Sequence, residues 1–308
     1  MASEAFGIHA IGSYLPVSRQ DNFALAKKFN FTEDFLCSKI GVTAPARKLE
    51  TEETSDLCVK AFEDLCTREA VDPADIDVIV VVTQNPDGHG LPHTSAVVHK
   101  KLGLPTRCFA FDISLGCSGF VASLAIVKGY LETTGGARAI VFTADPYSKV
   151  LKEDDRNTAL IFGDGAAATL IQRTQRWNIG RFDMGTEGQK CDALSVRPDN
   201  KLFMNGRLVF DFCAINVPKS VQRTLHVNDL SMRDIDYFAF HPGSKYIVDV
   251  LAARLGIAPV PFLAEYGNTV SSSIPFILKE LKPAVTRCVL VSGFGVGLSW
   301  ATAILRSV

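Results

Sequence analysis

The second half of this 308-residue chain repeats the order of predicted strands and helices found in the first half. Residues 75–77 open a strand that ends near Pro86, and residues 234–236 open a strand that ends at Pro242. In each half there follow a helix closing in Leu-Gly, an apolar strand, and a turn of small residues leading into another helix. Alternating strands and helices are typical of layered α/β folds. The repetition therefore predicts a duplicated α/β architecture with a pseudo-twofold axis between its halves.

The join between the two halves is predicted in the polar segment 174–179, which divides the chain into domains 1–174 and 175–308. A chain of this length holds enough apolar residues for a sizeable core. The predicted strand 75–83 is rich in Ile and Val on both of its faces, which is typical of a buried parallel strand.

The overall composition disfavours several classes of partner. The chain is 47% hydrophobic and 21% charged, with a formal net charge of -1, so nothing attracts it globally to nucleic acid or to an anionic membrane. No uncharged apolar segment reaches the ~20 residues of a membrane span. The first residues lack the basic region and apolar run of a signal peptide. We therefore expect a cytoplasmic protein.

The eight cysteines contain no C-x-x-C pair and no repeated spacing. This distribution disfavours a zinc site and a disulfide framework, and it fits a reducing compartment. We expect no metal and no bound cofactor.

One cysteine lies between a short β-favouring run and a segment with the apolar spacing of a helix. Residues 116–119 read Gly-Cys-Ser-Gly, so Cys117 is predicted at the N-terminus of a buried helix. Unpaired backbone N–H groups and the helix dipole favour a thiolate there, and small neighbours let a substrate carbonyl approach. We interpret Cys117 as a nucleophile; the alternative is a buried structural thiol.

Three further clusters lie at predicted strand ends or turns. His241 precedes Pro-Gly at the end of a strand, where α/β proteins place ligands, although a lone histidine is usually structural or solvated. Asn268 lies in a turn that corresponds to the Cys117 turn in the internal repeat, but asparagine is also a common turn former. The glycines of residues 292–298 lack the G-x-G-x-x-G spacing of a dinucleotide loop.

Together these motifs resemble the thiolase-fold condensing enzymes, most closely the β-ketoacyl-acyl-carrier-protein (ACP) synthase III family, with some type III polyketide synthase-like motifs. The resemblance covers essentially the whole chain in order. Its motifs are residues 12–16 (Gly-Ser-Tyr-Leu-Pro), 116–120 (Gly-Cys-Ser-Gly-Phe), 155–158 (Asp-Arg-Asn-Thr), 161–167 (Ile-Phe-Gly-Asp-Gly-Ala-Ala), His241, 267–269 (Gly-Asn-Thr), 271–275 (Ser-Ser-Ser-Ile-Pro) and 293–295 (Gly-Phe-Gly). The resemblance implies a duplicated thiolase-like fold with α-β-α-β-α layers, assembled as a homodimer.

The resemblance implies a Cys117, His241 and Asn268 triad, with the backbone N–H groups of Cys117 and Val296 forming an oxyanion hole. Such a triad suits acyl transfer to a thiol followed by decarboxylation of a malonyl thioester, because the enolate requires two donors and no nearby carboxylate. A thiolase would carry a second cysteine in the C-terminal glycine loop, and chain-elongating synthases carry a second histidine. This chain has neither feature.

The resemblance also implies contacts to CoA or to the carrier. Where the family often has Trp and Arg at the adenine end of CoA, this chain has Phe35 and Lys39; Arg207 and Ser244 replace two family asparagines. Leu91 aligns with a residue that enters the partner subunit's acyl pocket. The predicted substrate-binding residues are Phe35, Lys39, Arg156, Arg207, Phe210, Ser244 and Lys245.

The function implied is decarboxylating Claisen condensation of an acyl-CoA or acyl-ACP with malonyl-ACP or malonyl-CoA, in fatty-acid initiation or a related secondary pathway. CoA and phosphopantetheine thioesters are substrates here, not cofactors. Two alternatives remain. One is a polyketide or quinolone-type condensing enzyme, or an acyltransferase, on the same fold. The other is a non-catalytic subunit that binds an acyl carrier.

Overall fold

The structure, a computed structural model, describes residues 5–173, 176–258, 260 and 264–308. The predicted boundary between 174 and 175 lies outside these residues. The strands described are β1 (Gly7–Tyr14), β2 (Val78–Val82), β3 (Phe109–Ile113), β4 (Arg138–Ala144), β5 (Ala166–Gln172), β6 (Trp177–Thr186), β7 (Leu194–Val196), β8 (Leu202–Met204), β9 (Tyr237–Phe240), β10 (Cys288–Gly295) and β11 (Ser299–Ser307).

Eight α-helices are described in the same part of the chain. They are α1 (Asn22–Lys28), α2 (Glu33–Phe35), α3 (Thr54–Arg68), α4 (Thr94–Lys101), α5 (Gly119–Thr134), α6 (Gly206–Val227), α7 (Lys245–Leu255) and α8 (Ser273–Glu280). Among the described residues, no helix is both long enough and apolar enough to cross a bilayer.

The duplicated α/β architecture is confirmed by the strand order β3-β2-β4-β5-β1-β6-β11-β10-β9. In the first half, β2 is parallel to β4, and β5 is antiparallel to β4 and β1. In the second half, β9 is parallel to β10, and β11 is antiparallel to β10 and β6. The two halves therefore repeat one pairing scheme. Within the sheet, the two halves are joined by a short β1–β6 pairing at Gly7 and Ile8.

Helices cover both halves of the sheet and also fill the space between them. α5 packs its apolar residues against β2 and β4 of the first half and β10 and β11 of the second, and α8 joins the same core. α3 packs on the outer face of the first half, and α6 on the outer face of the second. The layers therefore follow the predicted α-β-α-β-α order.

Both faces of the central strands are buried, which explains their near-continuous apolar sequences. Along β2, Val78, Val80 and Val82 face the central helices, while Ile79 and Val81 face the outer core. Successive side chains of a strand point to opposite sides, so an apolar run places one set of residues in each core. Predicted strand 75–83 is thus correct in type and slightly long at both ends.

Two helical regions depart from regular α-helical geometry or from the usual sequence rules. Residues 33–40 form α2 followed by a π-helix, Leu36–Ile40, which ends at Gly41 with a φ of 79°. The 22-residue α6 continues past Pro218, a residue that normally ends a helix. The apolar strand predicted after Gly256 falls partly on residues 259 and 261–263, outside the described residues.

Candidate active site

Cys117 lies in the turn between β3 and α5, as the sequence predicts. The N–H of Gly119 donates to the carbonyl of Gly116 at 2.8 Å, which closes the turn directly before the first residue of the helix. The Cys117 side chain is buried, with 4% of its surface exposed. The thiol therefore sits at the N-terminal end of a 16-residue helix, where the helix dipole favours negative charge.

Two opposing influences act on the Cys117 thiol. Burial raises its pKa to about 12, and the nearby Asp145 carboxylate acts in the same direction. The backbone N–H of Val296 donates a hydrogen bond to the sulfur and lowers the pKa. The thiol is therefore protonated at neutral pH, and the structure already aims one backbone donor at the place where negative charge develops.

The glycines at the end of β10 are required by a close approach to Cys117. A Cβ atom at Gly295 would lie 2.9 Å from the Cys117 sulfur, and one at Gly293 would lie 2.4 Å from the Cys117 carbonyl oxygen. Gly295 also has a φ of 150°, which is rare for residues with a side chain. These glycines pack against the nucleophile, which gives a physical reason for the Gly-x-Gly pattern other than a dinucleotide loop.

His241 directly follows β9, as the sequence predicts. Its backbone N–H donates to the carbonyl of Ser292 on β10 at 2.9 Å, and the edge of its ring meets Phe294 at 5.8 Å between ring centres. Burial lowers the pKa of the imidazole to about 3. Its Nδ1 atom has no hydrogen-bond partner among the described residues. A neutral imidazole ring, with one buried nitrogen left unpartnered in the described part of the chain, therefore follows β9.

Asn268 has its side-chain orientation set by its own loop. The amide oxygen accepts a hydrogen bond from the N–H of Val270 at 2.9 Å, which leaves the amide NH2 group as the donor available to a ligand. Val270 has a φ of 53°, an unusual conformation for a β-branched residue. Backbone strain of this kind persists only where the surrounding structure imposes it. The buried loop therefore keeps the Asn268 donor in one direction.

A cavity of about 350 Å³ brings the three predicted catalytic side chains together. Its remaining lining is mostly apolar, and its lining residues include no Asp or Glu. The cavity is lined by Cys117, Ile161, Phe162, Leu194, Met204, Gly206, Arg207, Val209, Phe210, Cys213, His241, Gly243, Ser244, Tyr246, Ile247, Asn268, Phe294 and Gly295. A thiol, a neutral imidazole and an amide in a largely apolar enclosure can support acyl transfer and stabilise a developing oxyanion.

The predicted substrate-binding residues divide into two groups. Arg207, Phe210 and Ser244 line the cavity itself. Lys39 lies outside the lining, with its ammonium group 4.6 Å from the ring centre of Tyr246, which does line the cavity. Lys245 is also outside and forms an ion pair with Asp249 at 2.5 Å.

A second cluster of these residues forms an aromatic platform apart from the cavity lining. Phe35 stacks on Phe31 with ring centres 4.5 Å apart, and the Arg156 guanidinium lies 4.7 Å from the Phe31 ring centre. Leu91 does not line this cavity and is 93% exposed. The described residues include no cluster of three or more His, Cys, Asp or Glu side chains arranged to hold a metal.

Several lining residues were not predicted, among them residues of α6 and residues shortly after His241. The unpredicted Gly206, Val209 and Cys213 recur with the predicted Phe210 at the three- and four-residue spacing of one helix face. That spacing is visible in the sequence, but it has meaning only once residues 206–213 are known to be helical. Tyr246 of α7 stacks on Phe210 of α6 with ring centres 5.3 Å apart, which links these two helices at the cavity.

Comparison with known proteins places the whole chain among related sequences and structures. Family models described as 3-oxoacyl-[acyl-carrier-protein (ACP)] synthase III and its C-terminal domain match residues 111–188 and 225–307. The β-ketoacyl-[acyl-carrier-protein] synthase III of Lactococcus lactis subsp. cremoris is 36% identical, over 95% of this chain and 96% of that protein. The enzyme of the same name from Streptococcus sanguinis is 31% identical, over 97% and 98% respectively.

Solved structures agree with this result. The synthase III from Thermus thermophilus has a TM-score of 0.90 and 31% identity, covering 97% of this chain and 98% of that one. A priming β-ketosynthase from the R1128 polyketide biosynthetic pathway has a TM-score of 0.88 and 27% identity, covering 98% and 96%.

Proposed function

Because this chain belongs to the β-ketoacyl-ACP synthase III family of condensing enzymes, we propose that its cavity joins an acyl group carried on Cys117 to a malonyl thioester. The observation that carries this assignment is the convergence of Cys117, His241 and Asn268 on one apolar cavity. Each of the three has a distinct chemical group facing the same space, and each suits one part of the reaction.

In the first half-reaction, the Cys117 sulfur attacks the carbonyl carbon of an acyl thioester. The carbon–sulfur bond to the carrier breaks, the carrier leaves as a thiol with the Cys117 proton, and an acyl-Cys117 thioester remains. Negative charge moves from the sulfur to the carbonyl oxygen during attack. The N–H groups of Val296 and Cys117 stabilise that oxygen. Val296 directly follows β10 and Cys117 carries the sulfur itself, so both donors lie beside the reacting carbonyl.

In the second half-reaction, a malonyl thioester loses CO2 and its enolate carbon attacks the acyl-Cys117 carbonyl. The enolate oxygen accepts hydrogen bonds from His241 and from the NH2 group of Asn268. A carboxylate in the lining would oppose the negative enolate, and none lines the cavity. Cys117 departs as a thiolate and takes up one proton from solvent, while the β-ketoacyl product stays on the carrier.

We place this reaction in the initiation of fatty-acid synthesis, the role that the closer relatives' family performs. A starter-unit role in a polyketide pathway is the second candidate, and it is favoured by the likeness to the R1128 priming ketosynthase. Both roles use the same two half-reactions, so the catalytic assignments do not depend on the choice.

We expect Asn268→Ala to acylate normally and to condense slowly. The enolate forms only in the second half-reaction, and loss of one such donor typically costs ~3 kcal/mol, or on the order of a hundredfold in rate. Intact-protein mass spectrometry measures the acyl adduct, and product formation from a malonyl thioester measures condensation.

Cys117→Ala is the matched control, because it should lose both half-reactions. An Asn268→Ala protein that condenses at the parental rate would remove Asn268 from the mechanism. An Asn268→Ala protein that fails to acylate would show a structural role instead.

We further propose that the carrier of the malonyl group is an acyl carrier protein that docks at the cavity mouth. Carrier proteins of this class are acidic, and basic side chains around the mouth would attract them. Arg207 is exposed, and it also lines the cavity. Lys245 begins α7, whose Tyr246 stacks on Phe210 of α6, and its ammonium group forms an ion pair with Asp249.

Reversing both Arg207 and Lys245 to Glu should raise the apparent KM for malonyl-ACP much more than the KM for malonyl-CoA. The wild-type advantage should shrink as salt rises, because exposed charges are screened. Lys100→Glu with Arg233→Glu is the control for net charge, since both residues are exposed and outside the cavity. Equal kinetics of the Arg207/Lys245 variant and the control with malonyl-ACP would place carrier docking elsewhere.

We also propose that a second copy of the chain covers β3 and the loop that holds Leu91. β3 is an edge strand of the described sheet, and its Phe109 is 53% exposed. Phe109 stacks on Tyr130 of α5 at 6.0 Å, which extends the apolar surface beyond the strand. An open edge with exposed aromatic side chains favours pairing with another chain. Sedimentation at micromolar concentration should show a homodimer, and a monomer would contradict this.

A further inference from the structure

We propose that Arg47 is a positioning residue for the condensation step, because its guanidinium group holds the main chain to which the Asn268 loop is bonded. The inference rests on the proposed function and adds a residue that lies outside the cavity lining. Arg47 belongs to the loop between the π-helix and α3. It acts through main-chain contacts and does not touch the substrate.

The Asn268 backbone is hydrogen-bonded to the segment 161–163 on both sides of Phe162. The Asn268 N–H donates to the carbonyl of Ile161 at 2.9 Å, and the Asn268 carbonyl accepts from the N–H of Gly163 at 3.0 Å. These two bonds form an isolated parallel bridge between Phe162 and Asn268. The position of the Asn268 amide therefore depends on the position of this segment.

The Arg47 guanidinium bonds to the main chain of the same stretch. Its Nη1 atom donates to the carbonyl of Phe162 at 2.6 Å and to that of Ala46 at 3.2 Å. Its Nη2 atom donates to the carbonyl of Ala159 at 3.3 Å and to the Gln20 amide oxygen at 2.8 Å. Because the guanidinium is planar and rigid, one group fixes both the Ala159 and the Phe162 carbonyl.

The guanidinium lies in surroundings that are partly withdrawn from water. Burial lowers the pKa of Arg47 from its usual value, and the Asp164 carboxylate opposes this effect. Hydrogen bonds from a charged donor are stronger than neutral ones, and they gain further strength where water is excluded. The Arg47 side chain is therefore a strong restraint on the carbonyls that it contacts.

The backbone of Arg47 is itself held in place. Its N–H donates to the carbonyl of Ser18 at 2.9 Å. The next residue, Lys48, donates its N–H to the buried Asp164 carboxylate at 2.9 Å, and the Asp164 N–H donates to the carbonyl of Ala46 at 2.9 Å. Arg47 is thus anchored through both its backbone and its side chain, which makes the guanidinium a fixed support.

Close packing joins the Asn268 loop to its neighbours. A Cβ atom at Gly163 would collide with the carbonyl oxygen of Tyr266, and one at Gly267 would lie 2.9 Å from the Cβ atom of Pro45. Glycine permits these approaches because it has no side chain. Since close-packed segments transmit strain, a displacement of one segment reaches the next.

The test compares the two half-reactions in Arg47→Met, which keeps an apolar side chain and removes the guanidinium donors. Because Asn268 acts only on the enolate, acylation of Cys117 by acetyl-CoA should stay within about twofold of the wild-type rate. The kcat of condensation should fall at least about tenfold, and the KM for the malonyl thioester should change by less than about threefold, because a small misplacement of a catalytic group is costly. Intact-protein mass spectrometry measures acylation, and product formation measures condensation.

A double-mutant cycle separates an effect through Asn268 from a general loosening of the cavity. In the Asn268→Ala background there is no amide left to position, so adding Arg47→Met should slow condensation by less than about twofold. A further loss as large as the one in the wild-type background would overturn the proposal. So would a folded Arg47→Met protein that condenses at the parental rate, or one in which acylation falls as much as condensation.

Arg19→Met is the matched control, because Arg19 is an exposed arginine whose guanidinium donates to the carbonyls of Pro16 and Ser18 in its own loop. It should keep both rates within about twofold of the wild type.

Gln20→Ala decides the matter if Arg47→Met does not fold. The Gln20 side chain bonds both the Arg47 guanidinium and the Ala159 carbonyl, so its loss loosens the same contact. It should slow condensation and spare acylation, and wild-type rates in both half-reactions would overturn the proposal. If the wild type forms no acyl-Cys117 adduct from any donor, the proposed function fails, and the inference with it.

Discussion

The site depends on the contact between the end of β10 and the turn that carries Cys117. At this contact two glycines let the backbone approach the nucleophile, and the following Val296 N–H reaches its sulfur. Because the turn comes from the first half of the chain and β10 from the second, the nucleophile and its oxyanion donor meet only when both halves pack together. The central helices between the halves keep them in that position.

The rest of the catalytic chemistry follows from burial at the same place. Removing water keeps His241 neutral and Cys117 protonated, so the resting site carries no charge on either side chain. Uncharged His241 and Cys117 side chains admit the uncharged acyl thioester at little cost in desolvation. The fixed donors of Val296, His241 and Asn268 then act only as charge develops on the substrate.

Much of this arrangement could be predicted from local sequence patterns. The buried strands were visible as Ile and Val runs, the nucleophile as a cysteine between glycines, and the duplication as two matching orders of elements. These signals are local, and each has one physical cause. The extent of α6 could not be predicted, because Pro218 breaks the usual rule and only tertiary packing allows the helix to continue.

The sequence also could not show which polar groups remain free. The orientation of the Asn268 amide depends on a hydrogen bond from the N–H of Val270. The lack of a partner for His241 Nδ1 among the described residues depends on which residues pack around the ring. Of the predicted basic residues, Arg207 lines the cavity, whereas Lys39 lies against Tyr246 and Lys245 against Asp249.

The most direct measurement is the location of the acyl group after a brief incubation of the wild-type protein with acetyl-CoA. Peptide mapping by mass spectrometry distinguishes all eight cysteines, including Cys213, which lines the same cavity as Cys117. The account predicts a single acetyl group on Cys117, which leaves when a malonyl thioester is added. An acetyl group on Cys213, or an adduct on Cys117 that a malonyl thioester does not discharge, would contradict it.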